Sequence, residues 1–239
     1  MASGINAVAG GGTLISFPIL IAFGLPAKAA NATNSVALWP GSLAGAMGFR
    51  SLWPQSISHL KLLAIPTILG SAVGSLLLIF TSQKMFDNVI PALILAAALL
   101  LLFQDKVKAM VFKEGRSPSP LKAVIIQFAV SLYGGYFGAG MGIMMLAAFA
   151  LFIEGSIHEL NAIKNWLGLL INLSASIIFI WKGLVVVGPA IAVACGSIVG
   201  GFLAATWSQR VDPKKLRFAV AVYGLVMAIY FLLRTLKLL

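Results

Sequence analysis

Apolar residues along the chain fall into long runs separated by short polar segments. A helix that spans a bilayer needs about 20 mostly apolar residues. The runs that meet or approach this length are Ser3–Phe23, Ala29–Phe49, Leu60–Phe80, Val89–Phe103, Ala123–Ile153, Leu160–Trp181, Leu184–Trp207 and Leu216–Leu233. The pattern predicts an all-α polytopic membrane protein of about eight transmembrane segments. The longest connection, Gln104–Pro120 (QDKVKAMVFKEGRSPSP), is charged, contains proline and lies near the middle of the chain. It divides the sequence into a first transmembrane repeat (1–104), a charged loop (105–120) and a second transmembrane repeat (121–239).

The two halves echo each other. AGGGTL (Ala9–Leu14) matches AGMGIM (Ala139–Met144), and NATNS (Asn31–Ser35) falls on NAIKNW (Asn161–Trp166), with Asn34 on Asn165 after one extra residue. Further on, GSAVGS (Gly70–Ser75) matches GSIVGG (Gly196–Gly201), and SQK (Ser82–Lys84) matches SQR (Ser208–Arg210) at the same offset. Anchors in one order imply an internal duplication, two four-helix halves each opened by a glycine-broken helix. Such duplication in a helical membrane protein is typical of secondary transporters, whose substrate site lies where the halves meet. Four crossings per half would make the repeats parallel, whereas a hairpin at each glycine segment would make them inverted. By the repeat offset the first copy's opening helix is abbreviated relative to the second, so the sequence reads as a short first helix or a start downstream of the true one.

Composition agrees with the pattern. Hydrophobic residues make up 60% of the 239 positions and charged residues 10%, with a mean hydropathy of +1.02. A soluble domain carries about 25% charged residues, so a soluble enzyme or a nucleic-acid-binding module is excluded. The formal net charge of +11 comes mostly from residues between the apolar runs, where lysine and arginine orient helices and meet anionic lipid. With eight crossings, basic residues are in modest excess on the side of the termini, which places the termini in the cytoplasm. The single cysteine, Cys195, sits inside an apolar run and has no intrachain partner.

Three kinds of residue could carry chemistry within the spans. Gly10, Gly11 and Gly12, followed by Thr13, interrupt one apolar segment, and Gly134, Gly135, Gly138, Gly140 and Gly142 interrupt another. Each glycine weakens a helix by about 1 kcal/mol relative to alanine. A break at the triplet would expose backbone N–H groups able to hold an anion. The pairs Gly138/Gly142, Gly70/Gly74 and Gly196/Gly200, spaced four apart, read better as close helix packing. Asn161, Asn165, Gly168 and Asn172 share one helical face, and Asn31, Asn34 (with Thr33 and Ser35 beside it) and Ser42 form a comparable polar stripe. Such amides must face a protein partner or a wet cavity, and the matched pair Asn34/Asn165 points toward one site between the halves. Lys164 either attracts an anion or extends to the interface from a helix end.

The acidic residues all lie near segment ends, His59 and His158 lack companions at metal-ligand spacing, and no hydrolase or nucleotide-binding motif is present. The sequence therefore calls for no enzyme, no metal and no cofactor. Amides, backbone N–H groups and one lysine suit a small oxyanion, whereas a metal cation would want carboxylates.

At Ile5–Leu38 (INAVAGGGTLISFPILIAFGLPAKAANATNSVAL), with its weaker echo at Gly135–Phe152 followed by NAIKNW, the sequence resembles the TauE/SafE, or sulfite exporter, family of membrane transporters. The glycine run, Pro18, the Gly24–Pro26 turn and the Ala30–Asn34 stretch follow the family's order. The resemblance implies a carrier of small sulfur-containing anions, such as sulfite or organosulfonates, working outward across the cytoplasmic (inner) membrane. A carrier of another small organic anion, or a membrane scaffold without a substrate, is the alternative. The implied partners are the anion and the lipid bilayer, with room for a homo-oligomer and none for nucleic acid. The expected substrate-binding set is Gly10, Gly11, Gly12, Thr13, Asn31, Thr33, Asn34, Gly140, Gly142, Lys164, Asn165 and Asn172.

Overall fold

The computed structural model describes residues 12–48, 50–113, 119–153, 156–207 and 213–238, and every regular element among them is helical. In chain order these are α1 (Gly12–Ala22), α2 (Ala27–Gly48), a short 3-10 turn (Arg50–Leu52), α3 (Trp53–Phe80), α4 (Gln83–Lys113), α5 (Pro120–Tyr136), α6 (Met141–Phe152), α7 (Ile157–Trp181), α8 (Val187–Trp207) and α9 (Pro213–Thr235). Four contain stretches long and apolar enough to cross a membrane: Ser56–Phe80, Gln83–Lys106, Glu159–Trp181 and Phe218–Thr235. The more polar α2 has 22 residues, about 33 Å at the α-helical rise, but its amides and hydroxyls lower its hydropathy.

Local chemistry sets the boundaries. Gly24, at φ +87°, ends α1 while Gly24 N donates to Ile21 O and Leu25 N to Leu20 O, a glycine-closed C-terminus followed by Pro26. Ser119 caps α5 ahead of Pro120, where a proline costs no hydrogen bond. Ser156 and Glu159 form a reciprocal capping box at the start of α7. The charged segment after Gln104 is not all loop, because α4 continues to Lys113.

Of the two readings open for Ala123–Ile153, one crossing or a hairpin, the structure takes the hairpin: two helices fold back on each other. α5 ends at Tyr136 and α6 starts at Met141. Ser119 N, at the outer end of α5, donates to Phe152 O, at the outer end of α6, over 3.4 Å. A continuous helix would separate these residues by roughly 50 Å. The pair is therefore a re-entrant hairpin whose two ends share one face of the molecule.

Other contacts assign the remaining connections to the two faces. Lys28 Nζ, at the start of α2, donates to Ile79 O (2.9 Å) and Thr81 O at the end of α3, where a cation meets the negative end of a helix. Val186 N, beyond α7, donates to Thr33 Oγ1 over 3.0 Å. These residues mark a first face. At the second face, Trp53 packs edge-on against Trp166 with ring centroids 4.7 Å apart. Consequently α2 and α7 run antiparallel.

α3 and α5 pack backbone to backbone. A Cβ on Gly70 or Gly74 would fall on the carbonyl oxygens of Phe128 and Leu132, and one on Gly135 would fall on that of Ser71. This is the expected small-residue packing for Gly70/Gly74. It is not what Gly138 does: its φ of +79° places it in the hairpin turn. A Cβ built on Gly196 would meet no described atom of a neighbouring element within 4 Å. Among the described residues, two apolar clusters hold the assembly. One joins Leu14 and Phe17 of α1, Ile90 and Ile94 of α4, Phe137, and Val220 and Phe231 of α9. The other joins Leu63 of α3, Val130 of α5, Met145 and Phe149 of α6, and Leu160, Ile163 and Leu167 of α7.

Gly74→Leu is expected to force α3 from α5 and cost about 1–3 kcal/mol, seen as a lowered thermal midpoint in detergent. Gly188→Ala, with open space beside it, should stay within about 0.5 kcal/mol of the parent; equal midpoints for the two variants would disprove the close crossing. In a Cys195→Ser background, Lys122→Cys and Ser156→Cys should react with an impermeant thiol reagent from one side of the membrane and Lys182→Cys from the other. Labelling of Lys122→Cys and Ser156→Cys from opposite sides would rule out the hairpin.

Candidate functional site

The tip of the α5–α6 hairpin organises the candidate site. Gly138 and Gly140 both adopt φ +79°, a left-handed conformation that glycine reaches without a Cβ clash. Tyr133 Oη donates to Ala139 O over 2.6 Å and pins the turn to the helix before it. Phe137 is buried against Phe17 of α1, ring centroids 5.3 Å apart in an edge-on arrangement, and against Phe86 of α4. The turn thus sits on an aromatic bed, with the C-terminus of α5 and the N-terminus of α6 both directed into the protein. The first presents partial negative charge and the second partial positive charge.

Asn31, Thr33 and Asn34 are buried on α2 near the first face. Asn31 Nδ2 donates to Tyr136 O, the last carbonyl of α5, over 2.9 Å. The carboxamide oxygens of Asn31 and Asn34 are buried without a hydrogen-bond partner. Thr33 Oγ1 accepts the bond from Val186 N, which ties the α7–α8 connection to α2.

Gly140 is the residue before α6, and a Cβ there would lie 3.5 Å from Ala97 Cα on α4. Gly142, in the first turn of α6, faces α7, where Lys164 Cδ would lie 3.5 Å from a Cβ built on it. Lys164 is half-buried, and its Nζ donates to Asn161 Oδ1 over 3.2 Å. Asn165 Nδ2 donates to Asn161 O one turn earlier over 2.8 Å. A lysine stem laid along glycine next to a helix N-terminus puts two sources of positive potential close together.

Asn172 Nδ2 donates to Ser42 Oγ over 2.9 Å, joining α7 to α2 at their crossing. Gly12 opens α1 and its carbonyl accepts from Ser16 Oγ over 3.0 Å, while Thr13 is half-buried beside it. Gly10 and Gly11 lie outside the described residues.

The structure therefore groups the expected residues in two places. Asn34 precedes Ser42 by eight positions and Asn165 precedes Asn172 by seven. Because α2 and α7 are antiparallel, these offsets point to opposite faces and separate Asn34 from Asn165 by roughly 20 Å along the helix axes. Asn31 and Asn34 lie one turn apart on α2 beside the end of α5, which Asn31 bonds. Thr33 turns instead to the α7–α8 connection, and Asn161, Lys164 and Asn165 form the other group beside the start of α6. Moreover, the amide donors of Asn31, Asn165 and Asn172 are already bonded to protein acceptors.

Two features escaped the sequence reading. Tyr133 and Tyr136 shape the tip, yet nothing in the sequence distinguishes them from core aromatics. Gln127 is fully buried between α3 and α5, where Nε2 donates to Thr67 Oγ1 (2.9 Å) and Ser131 Oγ (3.0 Å). Its signal was available: a lone amide within an apolar run must find partners inside the protein.

Residues 1–231 match the family described as Sulfite exporter TauE/SafE. A probable membrane transporter protein of Haemophilus influenzae is 28% identical, over 95% of this chain and 89% of its own length. The probable membrane transporter protein YfcA of Escherichia coli K12 is 25% identical over 95% of this chain and 84% of its own. A probable membrane transporter protein, ORF9, of a Sinorhizobium species is 19% identical over 95% of this chain and 87% of its own. No solved structure matches the chain. Apolar helices and these relatives agree on a multi-pass membrane protein, and the chain belongs to the TauE/SafE family of membrane transporters.

Proposed function

We propose that the protein is a secondary carrier of small anions, with sulfite or an organosulfonate as substrate, that exports them across the cytoplasmic membrane. The observation that carries this reading is the start of α6 beside Lys164. A helix N-terminus there brings about half a positive charge, Gly142 leaves room for the lysine stem, and the lysine adds a full charge within a low-dielectric setting. An oxyanion is the chemistry that complements this pair. The family description names sulfite export, which favours a sulfur oxyanion within that class.

We further infer that the two halves are inverted repeats. A hairpin followed by three crossings reverses the direction of the next unit. The helix packing supports an approximate two-fold relation, since α2 meets α8 as α3 meets α7, and α1 meets α9 as α4 meets α6. The offset that carries Gly70 onto Gly196 also carries Ala98 onto Gly224, and a Cβ on Gly224 would lie 2.9 Å from Ala98 Cβ. Such a self-paired crossing is expected on the axis relating two repeats.

With the cell interior negative, an anion leaving gains about 2.3 kcal/mol per charge per 100 mV, so voltage alone drives export. In proteoliposomes tested with sulfite, sulfate, thiosulfate, sulfoacetate and simple carboxylates, a sulfur anion should move fastest and follow an imposed potential. Sulfur-anion flux that ignores voltage and requires a proton gradient would refute the electrogenic mechanism. Lys164→Met should raise the half-saturating anion concentration by roughly 10- to 100-fold, the range of a lost charge-assisted bond. Asn165→Leu, whose donor is bonded within α7, should alter it far less. Unchanged kinetics in a folded Lys164→Met protein would remove Lys164 from the site.

A further inference from the structure

Three features converge on the end of α5. Asn31 and Asn34 lie three residues apart on α2, hence on one face, at 1% and 2% exposure. Both carboxamide oxygens are buried and unpartnered. The orientation of Asn31 is fixed, because its Nδ2 donates to Tyr136 O and its oxygen must then point elsewhere. Tyr136 closes α5, so the nearest helix end is a carbonyl end carrying partial negative charge. The preceding carbonyl, Gly135 O, accepts from Ser75 Oγ over 3.3 Å. An amide oxygen left unmatched in an apolar interior costs about 1–3 kcal/mol, and two on one face next to a helix C-terminus form an environment of acceptors.

An anion is repelled by such a place. Its complement is a positive or donating species, and the absence of a carboxylate from this trio favours single charge, because divalent ions recruit carboxylates. Among the described residues no cluster of three or more His, Cys, Asp or Glu side chains stands ready for a metal.

We propose that Asn31 Oδ1 and Asn34 Oδ1, at the carbonyl end of α5, are ligands of one sodium ion. The hairpin tip then serves two charges: the end of α5 holds the cation and the start of α6 holds the anion. Occupancy of the first satisfies the leftover acceptors between α2 and the hairpin, so the ion is a resident cation that stays in place while the anion crosses alone. The anion path beside it rests on the carrier reading, but the binding does not.

The test uses the purified full chain in detergent, free of anionic substrate, in sodium, potassium or choline chloride at equal ionic strength. Sodium should raise the thermal midpoint saturably, by roughly 4 °C at a tenfold excess over its dissociation constant, and choline should not. Asn34→Leu should abolish the shift, whereas Asn34→Asp, near-isosteric and anionic, should retain it and bind radiolabelled sodium in equilibrium dialysis. Identical midpoints in all three salts, with no sodium retained by the parent or by Asn34→Asp, would overturn the proposal and leave water as the occupant of these oxygens. Anion flux measured separately in sodium-free liposomes keeps the two readings apart. Flux without any sodium binding overturns the cation site alone; sodium binding without flux of any anion supports the site and overturns the carrier.

Discussion

The structure depends on the requirement that an interrupted helix inside a membrane still satisfy its backbone. Hydrocarbon offers no hydrogen bonds, so a broken segment survives only where protein surrounds it. The α5–α6 hairpin meets this condition with an aromatic seat around Phe137, a tyrosine bond to Ala139 O and an amide from Asn31 to Tyr136 O. Its glycines divide the labour: Gly138 and Gly140 allow the turn, while Gly135 lets α5 lie directly on α3. The break places two helix ends of opposite polarity in the interior without any buried acidic side chain at the tip.

From that constraint follows the distribution of polar residues. The amides on α2 and α7 would be expensive on a lipid-facing surface, and most of them bond to protein. Asn172 bridges α7 to α2 through Ser42, Asn165 stays within its own helix, and Asn31 fastens α2 to the hairpin. What distinguishes Asn31 and Asn34 is an acceptor left over, and what distinguishes Lys164 is a charge beside a glycine at a helix start. These two local environments have opposite electrostatic preferences.

Much of the fold was legible because burial in lipid imposes a composition that few sequences share. The spans around Leu60–Phe80 and Leu160–Trp181 could be located to within a few residues, as could the turn at Gly24–Pro26. Whether Ala123–Ile153 crosses once or folds back stays open in the sequence, because hydropathy measures the depth a segment can occupy and not whether it returns. Gly138 was assigned to packing by its four-residue spacing from Gly142, although spacing alone does not distinguish a glycine that packs from one that turns. The candidate residues were legible as types that lipid does not tolerate unpaired. Their grouping was not, since Asn34 and Asn165 correspond in sequence yet face opposite ends of two antiparallel helices.

The sequence by itself determined that the chain is a helical membrane protein, that Asn31, Asn34, Lys164 and Asn165 need partners inside it, and that it resembles a family of exporters. All of this follows from transfer energies, which belong to residues and their immediate neighbours. Only the tertiary structure decided that α5 and α6 fold back on one another, that Tyr136 meets Asn31 across 105 positions, and that the amides form two groups rather than one. Those outcomes depend on which helix ends come together, a relation between distant parts of the chain that no local pattern encodes.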